Sequence, residues 1–145
     1  MKTTKKINVL FNASVIIASA LSKSGGSGLL ISFVKQKKII GLISEIILDE
    51  VIRNLQKLYF SNLQIKKTVS HFIVLPAPHE QLITKYLLQT IDDGDAHVLA
   101  SAKEGKVDYL VSLDKKHILI LKSKIKEFSI LNPKELIQEI ENRRL

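Results

Sequence analysis

The sequence predicts an α/β protein of three layers, with helices on both faces of a central parallel sheet of four to five strands. Three observations carry that expectation. Short apolar runs rich in β-formers, such as Ile7–Phe11 and Ile39–Ile43, alternate with longer segments of helical periodicity; this order implies parallel strands joined by right-handed crossovers. The 145 residues suffice for one domain, 1–145, with a sizeable core. Hydrophobic residues make up 46% and charged residues 25%, a balance that excludes a disordered chain.

Ile7–Phe11 reads as the first strand and ends at Asn12, and Ala13–Leu21 continues as a small apolar helix. Ser24-Gly25-Gly26-Ser27-Gly28 breaks the pattern, so a turn is expected there and a second helix from about Leu29 to Lys37. The glycines do not form a P-loop, which needs Gly-Lys-Ser/Thr directly after them; Leu29-Leu30 stands there instead. Ile39–Ile43 is the second strand. Ser44 is placed to cap a helix to about Tyr59, with an apolar arc of Ile47, Leu48, Val51, Ile52, Leu55 and Leu58. Asp49 points well away from that arc, whereas Glu50 lies about 110° from its centre, where a carboxylate can reach a cleft.

Ser61-Asn62-Leu63-Gln64 has the form of a capping box and opens a helix to about His71. Phe72–Leu75 reads as a short strand closed by Pro76-Ala77-Pro78, and Glu80–Gln89 as a helix. After Gly105, Tyr109–Leu113 is a buried-type strand ending in Asp114, followed by a short basic helical segment, Lys115–Leu121. Phe128–Leu131 is an edge strand. Asn132-Pro133-Lys134-Glu135 supplies an N-cap, a proline at the first helical position and a glutamate at the third, so the chain closes in a helix.

The stretch from Ile91 to Ala102 holds the densest chemistry. Wound at about 100° per residue, residues 94–105 place Asp95, Val98, Leu99 and Ala102 on one inward stripe. An ionised Asp on an inward face is costly unless it is paired or binds a cation. Asp92, Asp93 and Asp95 crowd at a helix start, where backbone N–H groups favour negative charge. Either one of them is simply the cap, or the group holds a metal. Ligands of parallel sheets sit beyond the carboxyl ends of the strands, where strand order reverses. Asn12 and Asp114 directly follow strands, while Glu50 and Asp95 lie early in helices, so topology can bring all four to one sheet edge. His97 points away from the Asp95 stripe and reads as a surface histidine. His71, His79 and His117 lack ligand-like spacing, and Ser112 has no base arranged for a Ser-His-Asp triad.

The formal charge is +8, from 22 Lys+Arg against 14 Asp+Glu. Lys35, Lys37 and Lys38 form one basic concentration; Lys115, Lys116, Lys122, Lys124 and Lys126 form another. Such a surface draws in polyanions, nucleic acid above all, although lysine-rich surfaces also occur without that partner. The absence of cysteine excludes disulfides and thiolate metal sites. The longest apolar runs fall short of the ~20 residues of a membrane span, so no membrane partner is expected. Lys2, Lys5 and Lys6 precede a strand-like run with no small-residue cleavage site, so no cleavable signal is expected and a cytoplasmic location follows by elimination.

Four short blocks follow one another along the chain: Phe11-Asn12-Ala13-Ser14-Val15, Ser44 through Glu50, Asp92 through Ala102, and Val111-Ser112-Leu113-Asp114. In that order and at those intervals they resemble the PIN-domain family, in particular the small toxins of bacterial and archaeal toxin–antitoxin pairs. The family pattern is a strand followed by Asp-Thr/Ala-Asn/Ser-Val, a helix start with Ser and a Glu six residues on, Asp-x-x-Asp-Ala-x-x-Leu-Ala-x-Ala, and Val-Thr/Ser-x-Asp. The resemblance covers nearly the whole chain. It implies a metal-dependent endoribonuclease whose Mg²⁺ or Mn²⁺ is held by Asn12, Glu50, Asp95 and Asp114, with Asp92 auxiliary and Ser112 a hydroxyl contact near the phosphate. Carboxylate oxygens suit such hard cations. One metal can activate a water for in-line attack, and a second, about 4 Å away, can stabilise the leaving oxygen. RNA as substrate, a small antitoxin as partner, and a homodimer for which residues 61–75 offer a surface are also implied.

Asn12 departs from the family pattern, which has Asp there. Asn keeps the shape and one carbonyl oxygen but loses the charge, so three carboxylates remain and a divalent cation should bind more weakly. Asn12 also fits as the N-cap of the following helix. Its presence motivates a second reading: a catalytically impaired or inactive RNA- or protein-binding module on the same fold. A receiver-like phosphoacceptor would need paired acids after the first strand, and Asn12 has no adjacent acid.

Overall fold

The computed structural model describes residues 6–143; Lys2 and Lys5, which entered the reading of the N-terminal charge, lie outside the described residues. The strands are β1 Asn8–Phe11, β2 Ile40–Ser44, β3 Ile73–Leu75, β4 Tyr109–Val111 and β5 Ser129–Leu131. Every neighbouring pair is parallel, in the order β3-β2-β1-β4-β5. The chain builds outward from β1 to β3, then crosses back to lay β4 and β5 on the far side of β1. Strand order therefore reverses between β1 and β4, which leaves a crevice beyond their carboxyl ends. The two strands stand in register, with Val9 opposite Tyr109 and Phe11 opposite Val111.

The helices are α1 Ala13–Leu21, α2 Gly26–Lys35, α3 Glu45–Lys57, α4 Asn62–Val69, α5 Glu80–Leu87, α6 Asp93–Glu104 and α7 Pro133–Arg143. α1 packs on α2 and α3, α2 on α7, and α3 on α4, while α5 and α6 pack together as a second group. Helices on both faces explain why the central strands read as apolar runs and not as alternation. Val9, Leu10, Phe11, Ile43, Leu110 and Val111 are all fully buried. Phe11 meets Phe72 edge to face, with ring centroids 5.0 Å apart. Gly41 of β2 belongs to the same packing: a Cβ there would stand 2.9 Å from Val34 Cγ2 and 3.0 Å from the Phe72 ring. Among the described residues, no single helix is long and apolar enough to cross a membrane.

The helix starts follow the expected local chemistry. Ser44 Oγ accepts from the Ile47 backbone N–H at 3.1 Å. Ser61 and Gln64 form the reciprocal capping box. Asn132 Oδ1 accepts from the Glu135 N–H at 2.8 Å, while Glu135 Oε1 accepts from the Asn132 N–H at 3.0 Å.

Two expectations are corrected. The second helix starts at Gly26, inside the glycine cluster and not at Leu29, with Gly25 in extended conformation before it. The cluster is packed tightly within the helix: Ser27 is buried, and a Cβ on Gly28 would lie 2.2 Å from the Lys23 carbonyl oxygen. The stretch Lys115–Leu121 is not a helix but a run of turns ending in a 3₁₀ turn, Leu119–Leu121. Asp114 diverts it, because its carbonyl accepts from both the Ile118 and Leu119 N–H groups. Four helices, α2 to α5, also end about two residues earlier than expected; after α2 and α3, Lys37 (φ 60°) and Tyr59 (φ 66°) adopt left-handed conformations.

Candidate functional site

The site begins where β1 and β4 end. The Asn12 backbone N–H donates to the Val111 carbonyl at 3.0 Å, joining the two strand ends. Asn12 occupies the N-cap position of α1, yet its side chain makes no capping bond. Its Nδ2 instead donates to Ser112 Oγ at 3.0 Å. Ser112 is fully buried, and its oxygen also accepts from the Asp114 N–H at 3.0 Å. Ser112, expected as a hydroxyl contact near a phosphate, thus braces the two loops in this structure. Ser14 adds another, its Oγ accepting from the Leu113 N–H at 3.2 Å.

Asp114 is held by its own turn, with Oδ1 accepting from the His117 N–H at 3.0 Å and Oδ2 lying 3.3 Å from His117 Nδ1. On α6 the acidic trio divides its work. Asp92 caps the helix, its Oδ1 accepting from the Gly94 N–H at 2.9 Å, which frees Asp95 in the first turn to face inward. Asp95 Oδ2 is buried without a hydrogen-bond partner among the described residues. Burial, then the facing Asp114, pushes the Asp95 carboxyl above its ordinary pKa, against the pull of His117; Asp92 adds a further push. Glu50, in the second turn of α3, is half-buried and likewise shifted up, first by burial and then by Asp95, with Arg53 opposing. Asp49 is exposed and pairs with Arg53.

Asn12, Glu50, Asp95 and Asp114 all line one cleft of about 240 Å³, which Asn54 and His97 also line. Side chains from distant parts of the chain therefore converge at the switch in strand order. Oxygen donors crowded this way are suited to holding a divalent cation.

Two histidines differ from the sequence reading. His97 is half-buried and not fully exposed: it lines the cleft, its Nδ1 is buried without a partner among the described residues, and burial lowers its pKa. The signal was α6 itself, whose Ala96, Val98, Leu99, Ala100, Ser101 and Ala102 are all buried, so that little of the helix is left for a surface side chain. His117 faces both Asp114 and Asp95, at 3.3 Å and 3.9 Å from Nδ1. The spacing Asp114-x-x-His117, one tight turn, was the available signal. Lys115 and Lys116, between them, are exposed.

No curated protein sequence matches the chain. Among solved structures it is similar to PAE2754 from Pyrobaculum aerophilum, at 18% identity over 94% of this chain and 96% of that one, with a TM-score of 0.66. It is similar also to VapBC2 from Rickettsia felis, solved bound to a DNA fragment from its promoter: 15% identity, 87% and 98% coverage, TM-score 0.61. VapC20 from Mycobacterium tuberculosis, a Sarcin-Ricin loop cleaving toxin, aligns at 13% identity over 74% of this chain and 91% of that one, TM-score 0.52. These likenesses establish the fold. The PIN domain model matches residues 8–116, a span that runs from β1 past Asp114 and holds every residue lining the cleft, and so the chain belongs to the PIN domain family.

Proposed function

We propose that the protein is a divalent-metal-dependent endoribonuclease and the toxin of a toxin–antitoxin pair, acting in the cytoplasm, where its RNA substrate is found. The observation that carries this reading is Asp95 Oδ2, a buried carboxylate oxygen without a hydrogen-bond partner among the described residues and close to a second carboxylate, Asp114. Uncompensated charge of this kind is costly, and a bound cation relieves it. Asp95, Asp114 and Glu50 would hold Mg²⁺ or Mn²⁺, with the Asn12 carbonyl oxygen as a neutral donor. Such an ion lowers the pKa of a bound water and stabilises charge developing on a phosphodiester.

The chain's own residues do the positioning. Ser112 holds the Asn12 carboxamide, Asp92 caps the helix that carries Asp95, and the turn after β4 aims Asp114. Lys115 and Lys116 stand directly after Asp114 to meet phosphates, and the +8 formal charge speeds their arrival. The similarity to VapC20, described as a toxin, favours the toxin assignment. Exposed Leu58, Tyr59, Leu63, Ile73 and Val74 supply apolar surface for a small antitoxin or a second copy.

Asn12 favours one alternative, an impaired or inactive PIN module that binds RNA or protein. Cleavage of an RNA oligonucleotide pool with Mn²⁺, compared among the wild type, Asn12→Asp and Asp95→Asn, separates the two. The nuclease reading expects Asn12→Asp to cleave faster than the wild type and Asp95→Asn not to cleave. No cleavage by either the wild type or Asn12→Asp would leave only the binding module.

A further inference from the structure

We infer that His117 is itself a ligand of the cation, so that Asp95, Asp114 and His117 form a two-carboxylate, one-imidazole centre that ranks Mn²⁺, Co²⁺ and Zn²⁺ above Mg²⁺. This rests on the metal-dependent reading above and adds a ligand and an ion preference to it. The three side chains each offer one donor atom, all within 4.8 Å of one another. His117 Nδ1 stands 3.3 Å from Asp114 Oδ2 and 3.9 Å from Asp95 Oδ2. With metal–ligand bonds of about 2.0–2.2 Å, neighbouring donors lie about 3.0 Å apart in an octahedral site and about 3.4 Å apart in a tetrahedral one. Small side-chain movements therefore suffice to bring the three donors around one ion. Asp95 Oδ2, buried and without a hydrogen-bond partner among the described residues, is one of the two carboxylate oxygens facing that nitrogen.

The backbone supports the same assignment. The His117 N–H is fixed by Asp114 Oδ1 at 3.0 Å, so the turn that positions one carboxylate also positions the imidazole. Asn12 leaves the cleft one charge short of a four-carboxylate set, and the imidazole supplies a further donor atom without restoring that charge. Its chemistry has a consequence for selectivity. Mg²⁺ prefers an all-oxygen octahedral shell, whereas a neutral imidazole nitrogen favours the later divalent ions of the first transition row.

Isothermal titration calorimetry of the intact chain with MgCl₂, MnCl₂, CoCl₂ and ZnCl₂ reads this preference directly, without reference to cleavage. The wild type is expected to bind Mn²⁺, Co²⁺ and Zn²⁺ more tightly than Mg²⁺. His117→Ala should weaken those three by about 10- to 100-fold, the scale on which metal-site support is lost, while Mg²⁺ affinity changes far less. His117→Gln preserves a polar head should the alanine variant fold poorly. Asp95→Asn, which should weaken all four ions, separates this site from the exposed histidines. Unchanged Mn²⁺, Co²⁺ and Zn²⁺ affinities in both His117 variants overturn the inference and leave the metal reading standing. If none of the four ions binds the wild type, the metal reading fails, and the inference fails with it.

Discussion

Removing the charge from Asp95 should stabilise the metal-free protein while destroying its response to metal. The ligand oxygens of Asp95 and Asp114 lie within 4.8 Å. Two like charges at that separation repel by about 0.9 kcal/mol in bulk water and about 3.5 kcal/mol at an effective dielectric of 20. The Asp95 side chain is 17% exposed and that of Asp114 is 32% exposed, so solvent screens part of this. A relief of about 1–2 kcal/mol is the reasonable middle, or a rise in melting temperature of about 3–6 °C for a chain of this size. The new carboxamide can also donate to Asp114, which the carboxylate cannot.

The assay is differential scanning calorimetry of the wild type and Asp95→Asn in EDTA and again with Mn²⁺. With free ion at 100 times its dissociation constant, the wild type gains about 2.7 kcal/mol, while the variant gains far less, so the order of the two melting points reverses. Acidity gives a third readout. The folded pKa of Asp95 is raised, so its contribution to stability is present below the ordinary carboxylate value and lost as pH rises through the folded value. The gap between the two metal-free proteins should therefore be absent at low pH and open as pH rises. An Asp95→Asn protein that melts below the wild type in EDTA, or that gains as much from Mn²⁺, would refute the reasoning.

The remaining predictions concern the frame around the cleft. Tyr59 is 95% exposed and sits at φ 66°, a conformation that costs a side-chain-bearing residue about 1 kcal/mol. Tyr59→Gly should therefore raise the urea midpoint with an unchanged m-value, a stability gain of about 0.5–1 kcal/mol; a lower midpoint would mean that the tyrosine ring contributes more than the strain removes. His79 Nδ1 lies 2.9 Å from Glu104, which raises the histidine pKa and lowers that of the carboxylate. The histidine's contribution is full below its ordinary 6.5 and fades as pH rises through the folded value. That of the glutamate is full above its ordinary 4.5 and fades as pH falls through the folded value. A small melting-temperature loss in His79→Ala should accordingly be largest between those two pH values and shrink on either side.

Much of this protein was legible locally. The caps at Ser44, Ser61 and Asn132 depend on side chains three residues from their backbone partners, so spacing alone reveals them. The central strands were legible because burial on both faces leaves unbroken apolar runs. The acidic residues stood out because an inward Asp contradicts the apolar stripe it belongs to. Less was legible where local composition reads two ways. The glycines near 25 read as a breaker, yet Gly26–Lys35 winds as a helix with Gly28 close against the Lys23 carbonyl. The segment after Asp114 has helical composition, yet the Asp114 carbonyl diverts it into turns.

Local sequence was enough for the alternating α/β order, the helix caps, and which carboxylates stand at strand and helix ends, since each follows from neighbours within one turn or one strand. Packing in three dimensions alone sets the Ser112 brace on Asn12 a hundred residues away, the burial of His97 Nδ1, and the approach of His117 Nδ1 to Asp95 Oδ2. The physical reason is the switch between β1 and β4, which joins loops far apart in the chain. Contacts made across that switch leave no periodicity in either segment alone.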